Sequence, residues 1–401
     1  MNTKNPDTTR KVKVMMKTFD LSKVVRPNIQ KLKPYRCARD DFSDGQLMDA
    51  NENSLGPPMK VDMIDEPERY PCPHQRELKS LYAKWRGVEQ KQVFLGVGSD
   101  EAIDLLIRMA CTPGKDSILT LPPTYGMYGV CAQVNDVNVV KIPLDDGFKM
   151  NSKKILTAIE NQPKQSPIKI VFVCHPNNPT GIFFLSLFFL FESFDNTHTH
   201  TGNDVSNTKE LEALANSIGD AILVIDEAYV DFSDRASTAS LISKCPNVCV
   251  LQTFSKSWGL AGVRCGVAMA HEDIVDYLTK MKAPYNLNKM TSKVARKAMS
   301  HIDELMKNIK LIVSERNRVA SELEKVPGVV KVFPSHSNFI LFRIKVDASV
   351  VHQSMARKGD VVIRYRGRDL NCEGCLRVSI GSRAENDKFL QRIREYIGKL
   401  L

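Results

Sequence analysis

The chain has 401 residues, 43% of them hydrophobic, and a formal net charge of +10. That length holds two or three domains and a sizeable core. The positive balance permits nucleic-acid contact, but the basic residues are scattered and no Lys/Arg run interleaves with aromatics. A field that draws in anionic small molecules is the better expectation, with no nucleic-acid partner. Ten cysteines without framework spacing point to reduced thiols, and the lone pair Cys372-x-x-Cys375 lacks the second pair a zinc knuckle needs, so no metal is expected. The N-terminal twenty residues are polar and basic without an apolar core, so a cytoplasmic location is expected.

In chain order, residues 1–25 read as a flexible tail, densest in charge from Lys11 to Lys17, and residues 26–54 as a segment joining a small domain. Val93-Phe94-Leu95 reads as a strand, Gly96-Val97-Gly98 as a tight turn and Ser99-Asp100-Glu101 as a helix start. Backbone N–H groups at such a helix N-terminus bind phosphate, which makes Gly98, Ser99 and Asp100 a candidate phosphate cradle. The third glycine of a dinucleotide fingerprint is missing, and Pro113-Gly114-Lys115-Asp116 lacks the pattern of a P-loop.

Three apolar runs then end in polar residues. Lys169 to Cys174 ends in His175-Pro176-Asn177-Asn178-Pro179-Thr180-Gly181, Ala221 to Ile225 in Asp226-Glu227-Ala228-Tyr229, and Val248 to Leu251 in Thr253-Phe254-Ser255-Lys256. The last is followed by a glycine-punctuated loop carrying Arg264. A lysine amine beside hydroxyls and a guanidinium that hold phosphate suggests a Schiff base with pyridoxal 5′-phosphate. That cofactor needs a carboxylate against its pyridine nitrogen, which Asp226 can supply. Tyr229 and Asn178 can donate to its phenolate oxygen. Each feature alone is ordinary turn chemistry; three successive strand ends in this order are hard to obtain by accident.

Residues 182–207 do not fit. Ile182 to Phe191 is apolar but for Ser186, short of the ~20 residues a membrane-spanning helix needs, so no membrane partner is expected. Thr197-His198-Thr199-His200-Thr201 then has no core pattern. The segment reads as surplus, of the kind a retained intron would encode. Beyond it, Lys289 to Lys325 reads as one long helical segment. Val329 to Phe333, Asn338 to Ile344, Val361 to Arg364 and Leu376 to Ile380 read as strands, and Glu385 to Leu400 as a closing helix. The expected fold is α/β: a large domain over 55–285 with a mostly parallel sheet flanked by helices, and a smaller α+β domain over 286–401.

Asn-Pro-Thr-Gly at 178–181, Asp-Glu-Ala-Tyr at 226–229, Ser-Lys at 255–256 and Gly-Val-Arg-Cys-Gly at 262–266 together resemble the fold-type I pyridoxal-phosphate aminotransferases, and among these the histidinol-phosphate aminotransferases. The resemblance runs from about Arg26 to the C-terminus. It implies that Tyr35 lines the substrate pocket, that Tyr125 stacks on the pyridine ring, and that Tyr70 reaches the phosphate in the neighbouring subunit's site of a homodimer. It also implies that Arg377 holds a donor's α-carboxylate and Arg364 the phosphate of histidinol phosphate. Arg366 and Arg368 belong to the same basic loop. The reaction implied is a two-stage transamination between histidinol phosphate and 2-oxoglutarate, with glutamate as product and Lys256 moving the proton. Two alternatives stay open: a related enzyme acting on aromatic or phosphorylated amino acids, and a binding protein on the same fold whose catalysis residues 182–207 impair.

Overall fold

The computed structural model describes residues 19–34, 57–59, 64–183, 205–357 and 361–401, side chains of 205–207 excepted. Tyr35, Lys11 to Lys17 and most of the surplus segment lie outside them. Two short helices, α1 (Leu21–Val24) and α2 (Pro27–Gln30), open the described chain. Val24 and Val25 are buried among the side chains of the large domain, and the Arg26 N–H donates to the Met109 carbonyl at 3.0 Å. Residues 19–29 thus pack on the large domain, while most of the tail and of the segment expected to join the small domain lies outside the described residues.

Helix α3 (Arg76–Arg86) leads into β1 (Val93–Gly96) and α4 (Ser99–Ala110). There follow β2 (Ser117–Thr120), α5 (Met127–Val134), β3 (Asn138–Lys141), α6 (Ser152–Glu160) and β4 (Ile168–Cys174). Helix α7 (Val205–Ser217), β5 (Ile222–Asp226), β6 (Val248–Thr253), β7 (Gly266–Ala270) and α8 (Glu272–Met281) complete this layer. The sheet order is β1-β7-β6-β5-β4-β2-β3. Neighbours pair in parallel except around β7, which runs antiparallel to both β6 and β1.

The central strands read as continuous apolar runs because both sheet faces are covered. Their side chains still alternate. Val171, Val173, Leu223, Ile225, Val248 and Val250 enter one core, while Ile170, Phe172, Ile222, Val224, Cys249 and Leu251 enter the other.

Helix α9 (Lys289–Met299) and α10 (Ile302–Glu324) occupy the stretch expected as one helix. Packing neighbours change at the break, Ser300-His301: α9 lies on α3, whereas α10 packs on strands Val329–Val332 and Phe339–Ile344, on helix Arg383–Gly398 and on the Val230–Phe232 turn. The small sheet has the order β10-β11-β9-β8, built from β8 (Val329–Val332), β9 (Phe339–Ile344), β10 (Arg364–Tyr365) and β11 (Cys375–Ser379). Helices α11 (Ala348–Arg357) and α12 (Arg383–Gly398) cover it. The edge strand β10 is shorter than the expected Val361 to Arg364, because its ladder with β11 holds only at Arg364↔Arg377 and Tyr365↔Leu376. A capping box of Ser382 and Glu385 starts α12.

Antiparallel β7 matters because it brings the glycine turn to the lysine loop. Gly266 is in register with Thr253 on one side and Gly96 on the other. A Cβ at Gly266 would lie 2.0 Å from the Gly98 carbonyl carbon and 2.1 Å from the Ser99 nitrogen. Those are backbone atoms of the first turn of α4. Gly266→Ala should therefore lose roughly 3 kcal/mol or more of stability, as overpacking against an immobile backbone does. Urea unfolding of the variant is the check.

Candidate active site

Asp226 is the last residue of β5, in register between Cys174 of β4 and Leu251 of β6. The polar residues following these parallel strands consequently emerge at one edge of the sheet, where open α/β folds bind ligands. One cavity at that edge is walled by Gly98, Ser99, Asp100, Tyr125, Cys174, Asn178, Asp226, Tyr229, Ser255, Lys256 and Arg264. Every cofactor-binding candidate named from the sequence, Tyr70 apart, meets there.

Asp226 is 2% exposed. Its Oδ2 accepts a hydrogen bond from the Tyr128 hydroxyl at 2.6 Å, and its Oδ1 accepts from the Ala228 N–H at 3.1 Å. Burial pushes its carboxyl up to about 6 against those donors. Tyr128, three residues beyond Tyr125, was not singled out from the sequence. The only signal was a second tyrosine in the Pro122 to Tyr128 stretch, and nothing local says which carboxylate it meets. Tyr128 is stacked on Phe172 at 4.5 Å, which fixes its ring.

Lys256 is half-buried, its Nζ 5.5 Å from the Tyr229 ring centroid. Burial lowers its pKa, and the Arg377 guanidinium pushes the same way. The amide nitrogen of Asn178 donates to the Tyr229 hydroxyl at 3.4 Å, and the Asn178 carbonyl oxygen accepts from Arg377 Nη1 at 2.5 Å. Arg377 lies over the Phe339 ring at 4.9 Å, and its buried Nε has no hydrogen-bond partner. A half-buried guanidinium with an unused donor suits a carboxylate. Arg364 faces it directly across the β10–β11 ladder and is exposed.

At the other end of the cavity, Gly98 has φ +72° and precedes the first turn of α4. Arg264 has φ +57° and places Nη2 3.6 Å from Asp100 Oδ2 and Nη1 3.4 Å from Ser255 Oγ. The Tyr125 hydroxyl donates to Asp100 at 3.1 Å. Tyr70 is elsewhere: it is 53% exposed and stacks on Tyr285 at 4.5 Å. Its expected role concerns a neighbouring subunit's site, which this chain alone does not contain.

The donor set fits pyridoxal 5′-phosphate. A helix N-terminus, a hydroxyl and a guanidinium can hold the phosphate. A buried carboxylate held by a hydroxyl and an N–H rather than by a cation matches a protonated ring nitrogen, and an amine stands beside them. Burial of Asp226 also has a measurable sign. Its folded pKa exceeds the ordinary 3.8, so its stabilisation is full below the unfolded pKa and is lost as pH rises through about 6. Cofactor-free Asp226→Asn should match the parent near about pH 4 and exceed it above pH 6 by on the order of 2 kcal/mol. Adding pyridoxal phosphate should stabilise the parent more than the variant. Urea titrations across this range check both.

The family described as aminotransferase class I and II matches residues 47–185 and 193–393, its interruption falling within the surplus segment. A histidinol-phosphate aminotransferase of Saccharomyces cerevisiae is 39% identical over 407 residues, covering 95% of this chain and 99% of the relative. One from Cytophaga hutchinsonii is 38% identical over 380 residues, covering 94% and 99%. The fold matches the crystal structure of a histidinol-phosphate aminotransferase from Sinorhizobium meliloti in complex with pyridoxal-5′-phosphate. There the TM-score is 0.72 at 22% identity, over 88% of this chain and 90% of that one. The chain therefore belongs to the class I and II aminotransferases and, within them, to the histidinol-phosphate aminotransferases, enzymes that work with pyridoxal 5′-phosphate.

Proposed function

We propose that the chain transfers the amino group of histidinol phosphate to 2-oxoglutarate, giving imidazole-acetol phosphate and glutamate in histidine biosynthesis. The observation that carries this reading is Arg377, bonded to Asn178 of the Lys256 and Asp226 cavity, with Arg364 in register beside it across the ladder. One substrate brings a phosphate and no carboxylate, the other two carboxylates and no phosphate, so adjacent guanidiniums can serve either anion.

When bound, pyridoxal phosphate supplies the carbonyl carbon that exchanges amino groups and a ring that accepts electron density. Gly98, Ser99, Ser255 and Arg264 would hold its phosphate, with Asp100 orienting Arg264 and Tyr125. Tyr125 would lie against the ring, Asp226 would keep the ring nitrogen protonated, and Asn178 and Tyr229 would donate to the phenolate oxygen. Nζ of Lys256, its pKa lowered by burial, takes the proton from the carbon bearing the donor's amine and later returns it. Arg377 holds the α-carboxylate of glutamate or 2-oxoglutarate, and Arg364 the phosphate of histidinol phosphate. Tyr35 belongs to the same pocket by resemblance.

We place the working form as a homodimer in the cytoplasm, with Tyr70 of the partner subunit reaching the cofactor phosphate. The exposed position of Tyr70, away from its own chain's cavity, supports this. The nine described cysteines are free thiols, which suits a reducing compartment.

Purified protein loaded with pyridoxal phosphate should form glutamate when given histidinol phosphate and 2-oxoglutarate. Lys256→Ala should cut the rate by roughly 10⁴-fold, the upper range for losing a general base. Arg364→Gln should raise the KM for histidinol phosphate by about tenfold or more while changing kcat little, the signature of lost uniform binding. Carbon dioxide release from a phosphorylated amino acid, without consumption of 2-oxoglutarate, would overturn the reading.

A further inference from the structure

Beneath the lysine loop lies a connected set of buried polar side chains that the chemistry above leaves unused. Asp231 sits in the short turn Val230–Phe232, two residues after Tyr229. Its Oδ1 accepts from Arg86 Nη2 at 2.6 Å, and its Oδ2 from the Ser257 hydroxyl at 2.5 Å. The side chains of this ion pair are 12% and 13% exposed. Arg86 Nε donates to Gln252 Oε1 at 2.7 Å, an oxygen it shares with the Tyr82 hydroxyl. The Gln252 amide nitrogen donates to Glu227 at 2.7 Å.

The network brackets both reacting groups in sequence. Glu227 directly follows Asp226, Asp231 lies two residues after Tyr229, and Gln252 and Ser257 lie on either side of Lys256. Arg86 and Tyr82 on α3 supply a fixed anchor, and the Arg86 guanidinium lies over the Trp85 ring at 3.5 Å. Trp85 in turn meets Trp258, the next residue after Ser257, edge-on at 5.0 Å. A buried ion pair of this kind rarely outperforms well-packed apolar residues in stability. Its placement gives it another use. A displacement of the lysine loop relative to the end of β5 breaks the Ser257–Asp231 bond and leaves a buried carboxylate oxygen without a donor.

We propose that Arg86, Asp231 and Ser257 form a positioning relay that fixes Lys256 relative to Asp226, keeping the amine within reach of the carbon whose proton it moves. The inference rests on the transaminase reading above. A misplacement of about 1 Å can cost 10²-fold in rate, so the expected effects are large for residues that touch neither cofactor nor substrate.

The test uses holoenzyme carrying Ser257→Ala, Asp231→Asn, or both. Single-turnover conversion of the bound cofactor's absorbance by histidinol phosphate should slow by roughly 10- to 100-fold in each single variant. The KM for histidinol phosphate and the affinity for cofactor should stay within about threefold, and the double variant should be little worse than either single one, as coupled residues behave. Without any substrate, the pH midpoint of the cofactor's visible band should move by about half a unit, because the surroundings of the Lys256 nitrogen have changed. Rates within twofold of the parent, with an unmoved midpoint and only a lower melting temperature, would make the network structural and overturn the proposal. So would a loss of rate explained by cofactor release. Ser257→Ala removes one hydroxyl and decides the matter if Asp231→Asn does not fold. If the parent itself fails to convert histidinol phosphate, the functional reading falls, and the substrate-free pH midpoint still decides the relay.

Discussion

A carboxylate buried at the end of a central strand is the constraint around which this fold is arranged. Removing a charge from water is costly, and Asp226 is offered a hydroxyl and an N–H rather than a cation. Left so, the group holds its proton more tightly than a carboxylate in water. In the proposed reading, a protonated ring nitrogen would supply the missing cation, and the rest of the cavity would supply what that ring needs. Phosphate donors stand at the start of α4, hydrogen-bond donors on Asn178 and Tyr229, and an amine on Lys256.

Topology delivers these groups. Three neighbouring parallel strands end at one edge, so residues far apart in sequence converge without long loops. The reversed β7 then stitches the glycine turn after β1 to the lysine loop through Gly266, where no side chain can be accommodated. The phosphate end and the amine end of the site are thereby held by backbone contact rather than by side-chain packing.

Much of this was legible in the chain itself. The strands before Asn178, Asp226 and Ser255-Lys256 announce themselves because burial on both faces makes them uninterrupted apolar runs. Gly98 and the residues after it signal a helix start through local turn chemistry. What escaped depends on partners distant in sequence. The Tyr128–Asp226 bond joins residues 98 apart. The division of α9 from α10 coincides with a change of packing neighbours and has no proline or glycine to mark it. The shortness of β10 reflects its place at a sheet edge. The docking of Val24 and Val25 on the large domain carries no local pattern at all. Tyr35 lies outside the described residues, and Tyr70 is brought to no site within one chain.

The cross-strand arginines of the small sheet have a consequence of a different kind. Directly opposed like charges weaken a ladder, and Arg364 and Arg366 both lower the pKa of the half-buried Arg377 guanidinium, after burial itself. The edge of the small domain is therefore electrostatically frustrated until an anion bridges it. In the proposed reading, the anionic substrates would supply the missing counterion there. Such an edge recognises charge before shape. Inorganic phosphate is then a natural competitor, and fidelity among anions falls to the reach of the amine.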